Sequence, residues 1–382
     1  VEDGSTFNNQ GVYSFDPQFF NAFQYIGDGS NNSYELNDNS PAISAGVNSF
    51  EFNGNSYTVE NSGGILGVST PTPENTVVDL GAFENENGVG DYTGSTYYAD
   101  ASRNYGNGSF ENPFPSIQAA INAASNGNMV SVAAGTYYEN INFNGKNITV
   151  SGADSSNTII DGGQNGSAVV INNGESSDAV LQNFTITNGS GYVMQDGSTK
   201  GGGIFISGAS PILENLLITN NTAVRGGGVL SQSGAMILRN SRIYSNHSPL
   251  DAGGGLWLEG NTSPEIYHSI QNVLIHHNSA LAMGGGVKLF DNYAELVNCQ
   301  VKNNSASSGG GIYSWRSYPT IKNTFIENNI VNNGQGGGLY ATQSQTNLIN
   351  SSISNNESVD DFGGGIYSIA GNLNIIESLV QG

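Results

Sequence analysis

The sequence predicts an all-β solenoid, a parallel β-helix, from a repeated glycine triplet, two asparagine columns and a strand-like periodicity of two. Gly-Gly-Gly occurs seven times in the second half of the chain, at steps of 25 to 31 residues. The triplets begin at Gly201, Gly226, Gly253, Gly284, Gly309, Gly336 and Gly363. A fixed period of this size indicates stacked units, because one such unit cannot bury its own apolar face.

Each triplet is followed by a short segment with the period of a β-strand, as in Ile204–Ile206 and Leu256–Leu258. A second short strand follows in each unit and ends in a branched apolar residue such as Ile243 or Ile275. No ten-residue helical pattern fits between these strands, which argues against leucine-rich and helical repeats. Two or three short strands in a unit of about 25 residues describe a parallel β-helix, in which like residues stack at about 4.8 Å per coil.

Asparagine recurs in two columns at fixed positions after the triplets. The first column is Asn215, Asn240, Asn272, Asn298, Asn323 and Asn350, with Glu377 in the last unit, and the second is Asn221, Asn246, Asn278, Asn304, Asn329 and Asn356. We expect these side chains to tolerate left-handed backbone at bends, to bond the backbone and to pair their amides from coil to coil. We expect the glycine triplets to supply positive φ and close backbone approach.

Composition excludes several classes of partner. The 382 residues carry a net charge of −22 with 10 Lys and Arg, so nucleic acid and anionic membrane are poor partners. No stretch of 18 apolar residues exists, so no membrane insertion is expected. The single cysteine, Cys299, is interpreted as a small buried core residue, and stability must come from stacking rather than from disulfides.

The chain divides into three predicted parts. Residues 1–90 lack the repeat, residues 91–129 form a linker and an N-terminal cap, and residues 130–382 form the parallel β-helix. The cap contains the one good helix signal, in which Ser116 is the N-cap and Ile117, Ala120, Ile121 and Ala124 share one face. The chain begins with Val rather than Met and stops at Gly382 inside a repeat, so we expect it to be part of a longer polypeptide.

Three segments of the chain resemble the N-terminal coils of the pectin-lyase-like right-handed parallel β-helix superfamily. They are Ser116-Ile-Gln-Ala-Ala-Ile, Gly135-Thr-Tyr-Tyr-Glu-Asn-Ile141 and Lys146-Asn-Ile-Thr-Val-Ser-Gly152. The triplet repeats look like those of large secreted bacterial surface proteins. Ser40–Gly46 together with Asp79–Glu84 is similar to the closing segment of such modules in surface proteins of Bacteroidota. The resemblance implies that residues 1–90 close a preceding β-helix module and that the protein is extracellular, at the bacterial cell surface.

The resemblance does not extend to catalytic motifs. Neither Trp257 nor Trp315 lies in the Trp-Gly-Arg motif of pectin methylesterases, and a polygalacturonase-like Gly-His-Gly motif is absent. An enzyme of this class could still use Lys200, Arg225 and Asp251, which lie just before glycine triplets, where loops vary in length. Solvated loop charges are the alternative interpretation of these three residues.

Metal sites are only weakly indicated. Asp28, Ser30 and Asn32 place oxygen ligands at alternate positions, but Ser33 stands where an EF-hand loop needs glycine. Ca²⁺ is therefore the one cofactor that the sequence leaves open. His247, His276 and His277 lie in or beside the second asparagine column and are interpreted as turn residues rather than metal ligands.

The most suggestive functional feature is an aromatic column in the strand that follows each triplet. Its outward positions hold Phe205, Leu230, Trp257, Lys288, Tyr313, Tyr340 and Tyr367. Two interpretations remain open for this column. Either a loop covers the rings or they stabilise one another by stacking, or they form a flat stripe that contacts glycans or a neighbouring chain.

The sequence therefore favours a non-catalytic structural or adhesive module, such as a rigid stalk, filament or adhesin segment. A polysaccharide-active enzyme and a self-assembling structural subunit remain alternatives. The expected partners are other copies of the chain, other modules of the same long polypeptide, or glycans. An enzyme requires acid–base groups that converge before the triplets, whereas self-assembly requires an interface over the aromatic column.

Overall fold

The computed structural model describes residues 49–52, 55–58, 92–104, 106–261, 264–359 and 362–381. The chain forms two compact units, one of Val1–Gly94 with Ser102–Pro115 and one of Ser95–Ala101 with Ser116–Gly382. In the first unit, the strands Ser49–Phe52 and Asn55–Thr58 form an antiparallel pair. The second unit contains the repeats.

The second unit is a right-handed parallel β-helix, which confirms the predicted fold class. Three stacks of parallel strands run along it. The strands that follow the glycine triplets, with two earlier ones, form the first stack, here called the triplet sheet. They are Ile141–Asn142, Val169–Ile171, Ile204–Ser207, Val229–Gln232, Leu256–Asn261, Val287–Val297, Ile312–Trp315, Leu339–Thr342 and Ile366–Ile369.

The second sheet continues each coil beyond the triplet sheet, and Val287–Val297 belongs to both stacks. Its other strands are Thr96–Ala99, Met129–Val132, Thr149–Gly152, Val180–Gln182, Ile212–Glu214, Ile237–Arg239, His268–Gln271, Tyr318–Lys322, Gln345–Ile349 and Asn372–Ile376. Thr96–Ala99, inside the segment predicted as linker and cap, pairs in parallel with Met129–Val132.

The third sheet completes the coils. Its strands are Gly135–Tyr137, Thr158–Asp161, Thr185–Thr187, Leu217–Thr219, Arg242–Tyr244, Leu274–His276, Gln300–Lys302, Phe325–Glu327, Ser352–Ser354 and Leu379–Gln381. A short sheet follows it in the later coils, with strands His247–Ser248, Ser279–Ala280, Ser305–Ala306, Ile330–Val331 and Glu357–Ser358. One antiparallel hairpin, Tyr192–Val193 with Thr199–Lys200, interrupts the pattern before the first triplet.

The core consists of branched apolar residues that stack in register from coil to coil. In the third sheet, Ile243 pairs with Ile275 and Ile275 pairs with Val301. The whole column is fully buried and comprises Ile186, Ile218, Ile243, Ile275, Val301, Ile326 and Ile353. Burying each such side chain contributes about 1.5–3 kcal/mol, so a column of seven is a large part of the stability of the solenoid.

The second asparagine column forms a buried ladder of amide hydrogen bonds. The Asn246 Nδ2 donates to the carbonyl of Ile218 at 2.9 Å and to Oδ1 of Asn278 at 3.0 Å. The backbone N–H of Asn246 donates to the same Oδ1, also at 3.0 Å. The pattern continues to Asn304 and beyond it, and all six side chains are buried. The predicted pairing of amides from coil to coil is confirmed for this column.

The first asparagine column supplies the left-handed backbone. Its members have φ between 45° and 54°, and Glu377 has φ of 47° at the equivalent position. Their side chains lie at the surface, where Asn215 Nδ2 donates to Asn183 Oδ1 at 2.7 Å. The first column therefore combines left-handed backbone with amide pairing from coil to coil at the surface, whereas the second column pairs its amides and bonds the backbone in the interior.

The glycine triplets have the two predicted roles. Gly309, the first of its triplet, has φ of 60°, which L side chains rarely adopt. A Cβ on Gly310 would lie 2.6 Å from the carbonyl oxygen of Ile330, and one on Gly311 would lie 2.6 Å from that of Gly338. Backbone from the adjacent coil occupies the space that any side chain would need.

The predicted capping helix, α1, spans Ile117–Ala123 and packs against the first strands of the second and triplet sheets. Ser116 is its N-cap, and its Oγ accepts from the backbone N–H of Ala119 at 3.1 Å. The Glu139 carboxylate accepts from the N–H groups of Ile117 and Gln118 at 2.8 and 2.9 Å. At the other end, Lys146 Nζ donates to the Ile121 and Asn122 carbonyls at 2.8 and 2.6 Å. Side chains of the first coils thus satisfy both helix ends.

Cys299 is buried, as the sequence predicts, and its Sγ donates to the carbonyl oxygens of Ile270 and Val297 at 3.4 and 3.3 Å. Burial raises the pKa of this thiol to about 11, so it is an inert core residue. Among the described residues, no helix has both the length and the apolar character that a membrane span requires.

The asparagine ladder predicts a position-specific loss of stability. Asn304→Ala should lower the free energy of unfolding by about 2–4 kcal/mol, because it leaves the backbone N–H of Asn278 and the Ile275 carbonyl without partners. Asn303→Gly is the matched control, since Asn303 is exposed and has φ of 54°. Denaturant unfolding measures both variants. Equal stability of the two variants would contradict a supporting role for the ladder.

Candidate functional site

The candidate site is the outer face of the triplet sheet, defined by the outward positions of its strands from Ile204–Ser207 onwards. Alternate residues of a strand point to opposite faces, so the residues that flank each outward position enter the core. The register places the predicted aromatic column from Phe205 to Tyr367 in line on this face. Two residues further along each strand runs a second column of Ser207, Gln232, Glu259, Phe290, Trp315, Thr342 and Ile369.

In the first coils this face is covered. Phe205 is only 3% exposed because the ring of Tyr192, from the irregular hairpin, stacks on it at 4.7 Å. Trp257, 6% exposed, belongs to a buried cluster with Phe205 and Leu230, and Met194 and Met283 pack against this cluster. The rings at this end are therefore packing residues, one of the two interpretations that the sequence left open.

The structure brings together two of the three proposed catalytic residues. Arg225 Nε and Asp251 Oδ2 form an ion pair at 2.8 Å, and the Arg225 guanidinium lies 5.6 Å from the centre of the Trp257 ring. The backbone of Lys200 pairs with that of Arg225, and its Nζ donates to Gln232 Oε1 at 2.8 Å.

Lys288 is the unexpected residue of the outer face. It occupies an aromatic-column position and is only 1% exposed. Its Nζ lies 3.9 Å from the centre of the Tyr313 ring, with the rings of Trp257 and Trp315 at 5.7 and 5.9 Å. The thioether of Met283, 3.1 Å away, is the acceptor of its hydrogen bond. The side chains of Trp257, Met283, Tyr313 and Trp315, which surround this amine, are here called the lysine cage.

The cage changes the acid–base behaviour of Lys288. Burial lowers the pKa of this amine to about 7, while the more distant carboxylates of Asp251 and Glu259 oppose the shift. Burial, together with the neighbouring Tyr340 phenol, raises the pKa of the Tyr313 phenol to about 12. A lysine that is substantially neutral near pH 7 is a candidate functional group, because ordinary lysines are fully charged there.

Two polar atoms beside the cage lack hydrogen-bond partners within the part of the chain that the structure describes. They are Oε2 of Glu259 and Nε1 of Trp257, both of them buried atoms. The two residues are separated by one position on the same strand and therefore face the same side. An unmet buried polar atom costs about 1–3 kcal/mol, so both atoms lower the stability of this part of the outer face.

In the later coils the outer face opens into a half-exposed aromatic platform, defined as Phe290, Trp315, Tyr340 and Tyr367. The Tyr340 ring stacks between those of Tyr313 and Tyr367, at 4.7 and 5.2 Å, and Phe290 contacts Trp315 edge to face at 5.1 Å.

Polar groups fix the edge of this platform. The Arg316 guanidinium lies 5.1 Å from the centre of the Trp315 ring and is paired with Asp291. Trp315 Nε1 donates to Gln343 Oε1 at 3.0 Å. The indole of Trp315 is thus held in one orientation and is partly exposed to solvent.

The three histidines singled out in the sequence, His247, His276 and His277, lie at the end of the third-sheet strands or just after it. His277 has φ of 53°, in agreement with its interpretation as a turn residue. Its Nδ1 lies 2.7 Å from Nδ1 of His276, and burial, together with the positive charge of neighbouring groups, lowers the pKa of His276 to about 4. Within the described residues, no three His, Cys, Asp or Glu side chains are placed to share a metal ion. The calcium candidates Asp28, Ser30 and Asn32 lie outside the described residues.

Sequence reasoning did not single out Lys288, Glu259 or Met283 as site residues. Lys288 did carry a signal, because it is the one charged residue in the aromatic column. Glu259 gave none, since its lack of a partner depends on three-dimensional packing. Met283 precedes its triplet, as Lys200 and Arg225 precede theirs, and only the fold turns it towards Lys288.

The comparison with protein-family models agrees with the fold. Residues 139–326 match the family model described as the right handed beta helix region. No curated protein matches the chain. Among solved structures, an alginate lyase from Paenibacillus sp. str. FPU-7 is similar with a TM-score of 0.35 and 17% identity, covering 74% of this chain and 97% of the lyase. A pectin methylesterase from carrot is similar with a TM-score of 0.32 and 14% identity, covering 75% and 85%. Neither similarity bears on the activity of this chain.

The lysine cage predicts a pH-dependent stability. The folded-state pKa of Lys288, about 7, lies below the unfolded value of about 10.4, so folding disfavours protonation. The contribution of Lys288 to the free energy of unfolding therefore falls as the pH decreases from about 10 to about 7, and it is constant below pH 7. Lys288→Met removes this loss and should be more stable than the wild type at pH 7 by on the order of 3 kcal/mol.

Denaturant unfolding between pH 6 and pH 10 measures this difference. Lys322→Met is the control, because Lys322 is exposed on the second sheet. If the gap between Lys288→Met and the wild type did not grow as the pH falls, the amine would be no more costly to protonate than an exposed one.

Proposed function

We propose that this chain is a rigid, non-catalytic module of a secreted or cell-surface protein, and that the aromatic platform of its triplet sheet binds glycans. The platform is the observation that carries the proposal. Sugar rings have apolar C–H faces that pack on aromatic rings, and the partly exposed rings of Trp315 and Tyr367 offer such surfaces on neighbouring columns of the outer face. The N-terminal coils of the sequence, which resemble those of secreted surface proteins, favour the same role.

Rigidity supports the proposal, because a binding surface built on a sheet keeps its geometry better than one built on loops. Backbone hydrogen bonds join every coil to the next, and the buried asparagine ladder adds a second continuous set. The rings also fix one another, since Tyr340 is stacked on both sides and Trp315 is held by Gln343. Little conformational entropy remains to be lost when a ligand binds.

The proposal predicts that Trp315→Ala weakens glycan binding at least tenfold, because it removes the largest half-exposed ring and the partner of Phe290. Affinity electrophoresis against a panel of plant, algal and bacterial polysaccharides identifies a ligand, and calorimetry then measures both proteins. Phe325→Ala is the control, because Phe325 is an even more exposed ring, 54% exposed, on the third sheet.

Two results would contradict glycan binding through the platform. One is a wild-type protein that binds no polysaccharide in the panel, and the other is a Trp315→Ala variant that binds as tightly as the wild type. Sedimentation of the same proteins tests the association of copies through this face. Concentration-dependent dimers that disappear in Trp315→Ala would favour a second copy of the chain as the partner.

The lysine cage favours a second candidate function, the cleavage of a polysaccharide. A lysine with a pKa of about 7 can accept a proton at neutral pH, and Glu259 and Asp251 are acidic groups near enough to influence it. The Nζ is enclosed, however, so a polymer would have to displace cage residues to reach it.

Assays for reducing ends and for the ultraviolet absorbance of unsaturated products separate the two functions. Turnover by the wild type that disappears in Lys288→Met, with the fold retained, would establish the enzyme. Binding without turnover, and with equal affinity in Lys288→Met, supports the non-catalytic module.

A further inference from the structure

A thioether and a primary amine of this chain are in direct contact inside the lysine cage. The Met283 Sδ lies 3.1 Å from the Lys288 Nζ, and the two residues flank the triplet Gly284–Gly286. The reacting atoms of a well-oriented intramolecular pair lie about 3–3.5 Å apart. The fold therefore holds this sulfur and this nitrogen at a distance from which a bond between them can form.

The register of the coils fixes both partners of this contact. The backbone of Met283 pairs in parallel with that of Ala252 in one adjacent coil and with that of Ser308 in the other. Lys288 lies in a strand of the triplet sheet and is only 1% exposed, with its Nζ 3.9 Å from the centre of the Tyr313 ring. The amine therefore has little freedom to move away from the sulfur.

The two partners differ in their access to solvent. Met283 is partly exposed at the edge of the buried cluster of Phe205, Leu230 and Trp257, so an oxidant about as small as water can reach this side chain. The Lys288 amine does not need to be reached from solvent, because it already contacts the sulfur.

The amine is also in a reactive state. Burial lowers the pKa of Lys288 to about 7, so a large fraction of these amines are neutral at physiological pH. A neutral amine is a nucleophile, whereas an ammonium group has no free electron pair. Rotation about the last C–N bond of the side chain turns that electron pair towards the sulfur.

We propose that Met283 and Lys288 form an oxidative modification site, at which hypohalous acid joins the thioether sulfur to the amine nitrogen through a sulfilimine (S=N) bond. The co-reactant is hypochlorous or hypobromous acid, and no enzyme is required. The bond closes a covalent ring across Gly284–Gly286 and ties the turn before this triplet to the triplet sheet. This proposal does not depend on glycan binding.

The reaction has two steps. The Met283 sulfur first attacks the halogen of the acid, which gives a halosulfonium group and hydroxide. The Lys288 nitrogen then attacks the sulfur, the S–N bond forms and halide leaves. Loss of both N–H protons completes the S=N bond, and one of these protons converts the hydroxide to water. The sulfur loses two electrons and the halogen gains them, so the products besides the sulfilimine are water, halide and one proton.

The competing reaction is attack of water on the halosulfonium group, which gives the sulfoxide that methionine ordinarily forms. Well-oriented intramolecular partners reach effective concentrations of about 10⁵ M or more, which exceeds the concentration of water. The rings of the lysine cage also occupy space around the amine that water would otherwise fill. Coupling to Lys288 should therefore prevail over sulfoxide formation at Met283.

Mass spectrometry of the intact protein after treatment with a small excess of hypobromous acid tests the proposal. The coupled product has lost two hydrogen atoms, whereas a sulfoxide has gained one oxygen atom. Trypsin cleaves after Lys288 only if its amine is free, so coupling should replace peptide 243–288 by an uncleaved peptide 243–302. We expect the coupled form to exceed the Met283 sulfoxide roughly tenfold or more. Met129, 40% exposed, is the internal control and should gain oxygen in the same sample.

Three variants and one peptide locate the reaction. Lys288→Met should leave Met283 to form the sulfoxide, and Met283→Leu should abolish the loss of two hydrogen atoms and restore cleavage after Lys288. Lys322→Met removes an exposed lysine of the second sheet and should couple like the wild type. A synthetic peptide of residues 279–292 contains both partners without the fold, and we expect it to form mainly the sulfoxide. Thermal unfolding shows whether each variant keeps its fold.

Three results would overturn the proposal. The first is oxidation of Met129 while Met283 stays unmodified or forms only the sulfoxide. The second is a loss of two hydrogen atoms that persists in Met283→Leu, which would assign the product to other side chains. The third is equal coupling in the peptide and in the folded protein, which would show that the contact in the lysine cage does not direct the reaction.

Discussion

The register between stacked coils is the constraint on which the rest of this structure depends. Each strand pairs in parallel with the equivalent strand of the next coil, so every residue type is repeated in a column at the strand spacing. A buried polar column is stable only if each member donates a hydrogen bond to one neighbour and accepts a hydrogen bond from the other. An asparagine amide has both donors and acceptors, so Asn246 can accept from the coil before it and donate to the coil after it. Aspartate lacks the donor and leucine lacks both, which explains why asparagine fills this column.

The requirement for one residue type in a column does not apply to the outer face, because its side chains contact solvent or irregular segments instead of a closed core. Its column consequently changes from Phe205 to Trp257 to Lys288 to Tyr313 within four structural steps. The solenoid tolerates a buried amine there because its stability is approximately a sum of neighbouring-coil terms. The inner isoleucines and the asparagine ladder hold the coil on both sides of Lys288. A residue that lowers stability without completing any ladder is best explained by what the face does rather than by how the chain folds.

The sequence was sufficient for the repeating parts of the fold. Asn221 to Asn356, the glycine triplets and the Ser116 cap each follow a local rule, and repetition over several units makes the column evident. The burial of Phe205 could not be predicted, because the ring that covers it, Tyr192, comes from a hairpin outside the repeat. The lysine cage could not be predicted either. Trp257, Met283 and Tyr313 come from three different strand or turn positions, and they converge on one amine only when the register and side-chain directions are known.

The ion pairs of the outer face matter for the shape and charge of the face rather than for stability. Arg225 and Arg316 are both substantially exposed, and exposed pairs contribute about 0–1 kcal/mol. Pairing with Asp251 and Asp291 nevertheless neutralises both guanidinium groups and holds them beside Trp257 and Trp315. The result is a rigid surface of rings whose neighbouring cations are already balanced. Such a surface gains little from an anionic ligand, because a carboxylate of the chain already balances the charge of each guanidinium. It loses nothing by contact with an uncharged ring, since stacking leaves both internal pairs intact.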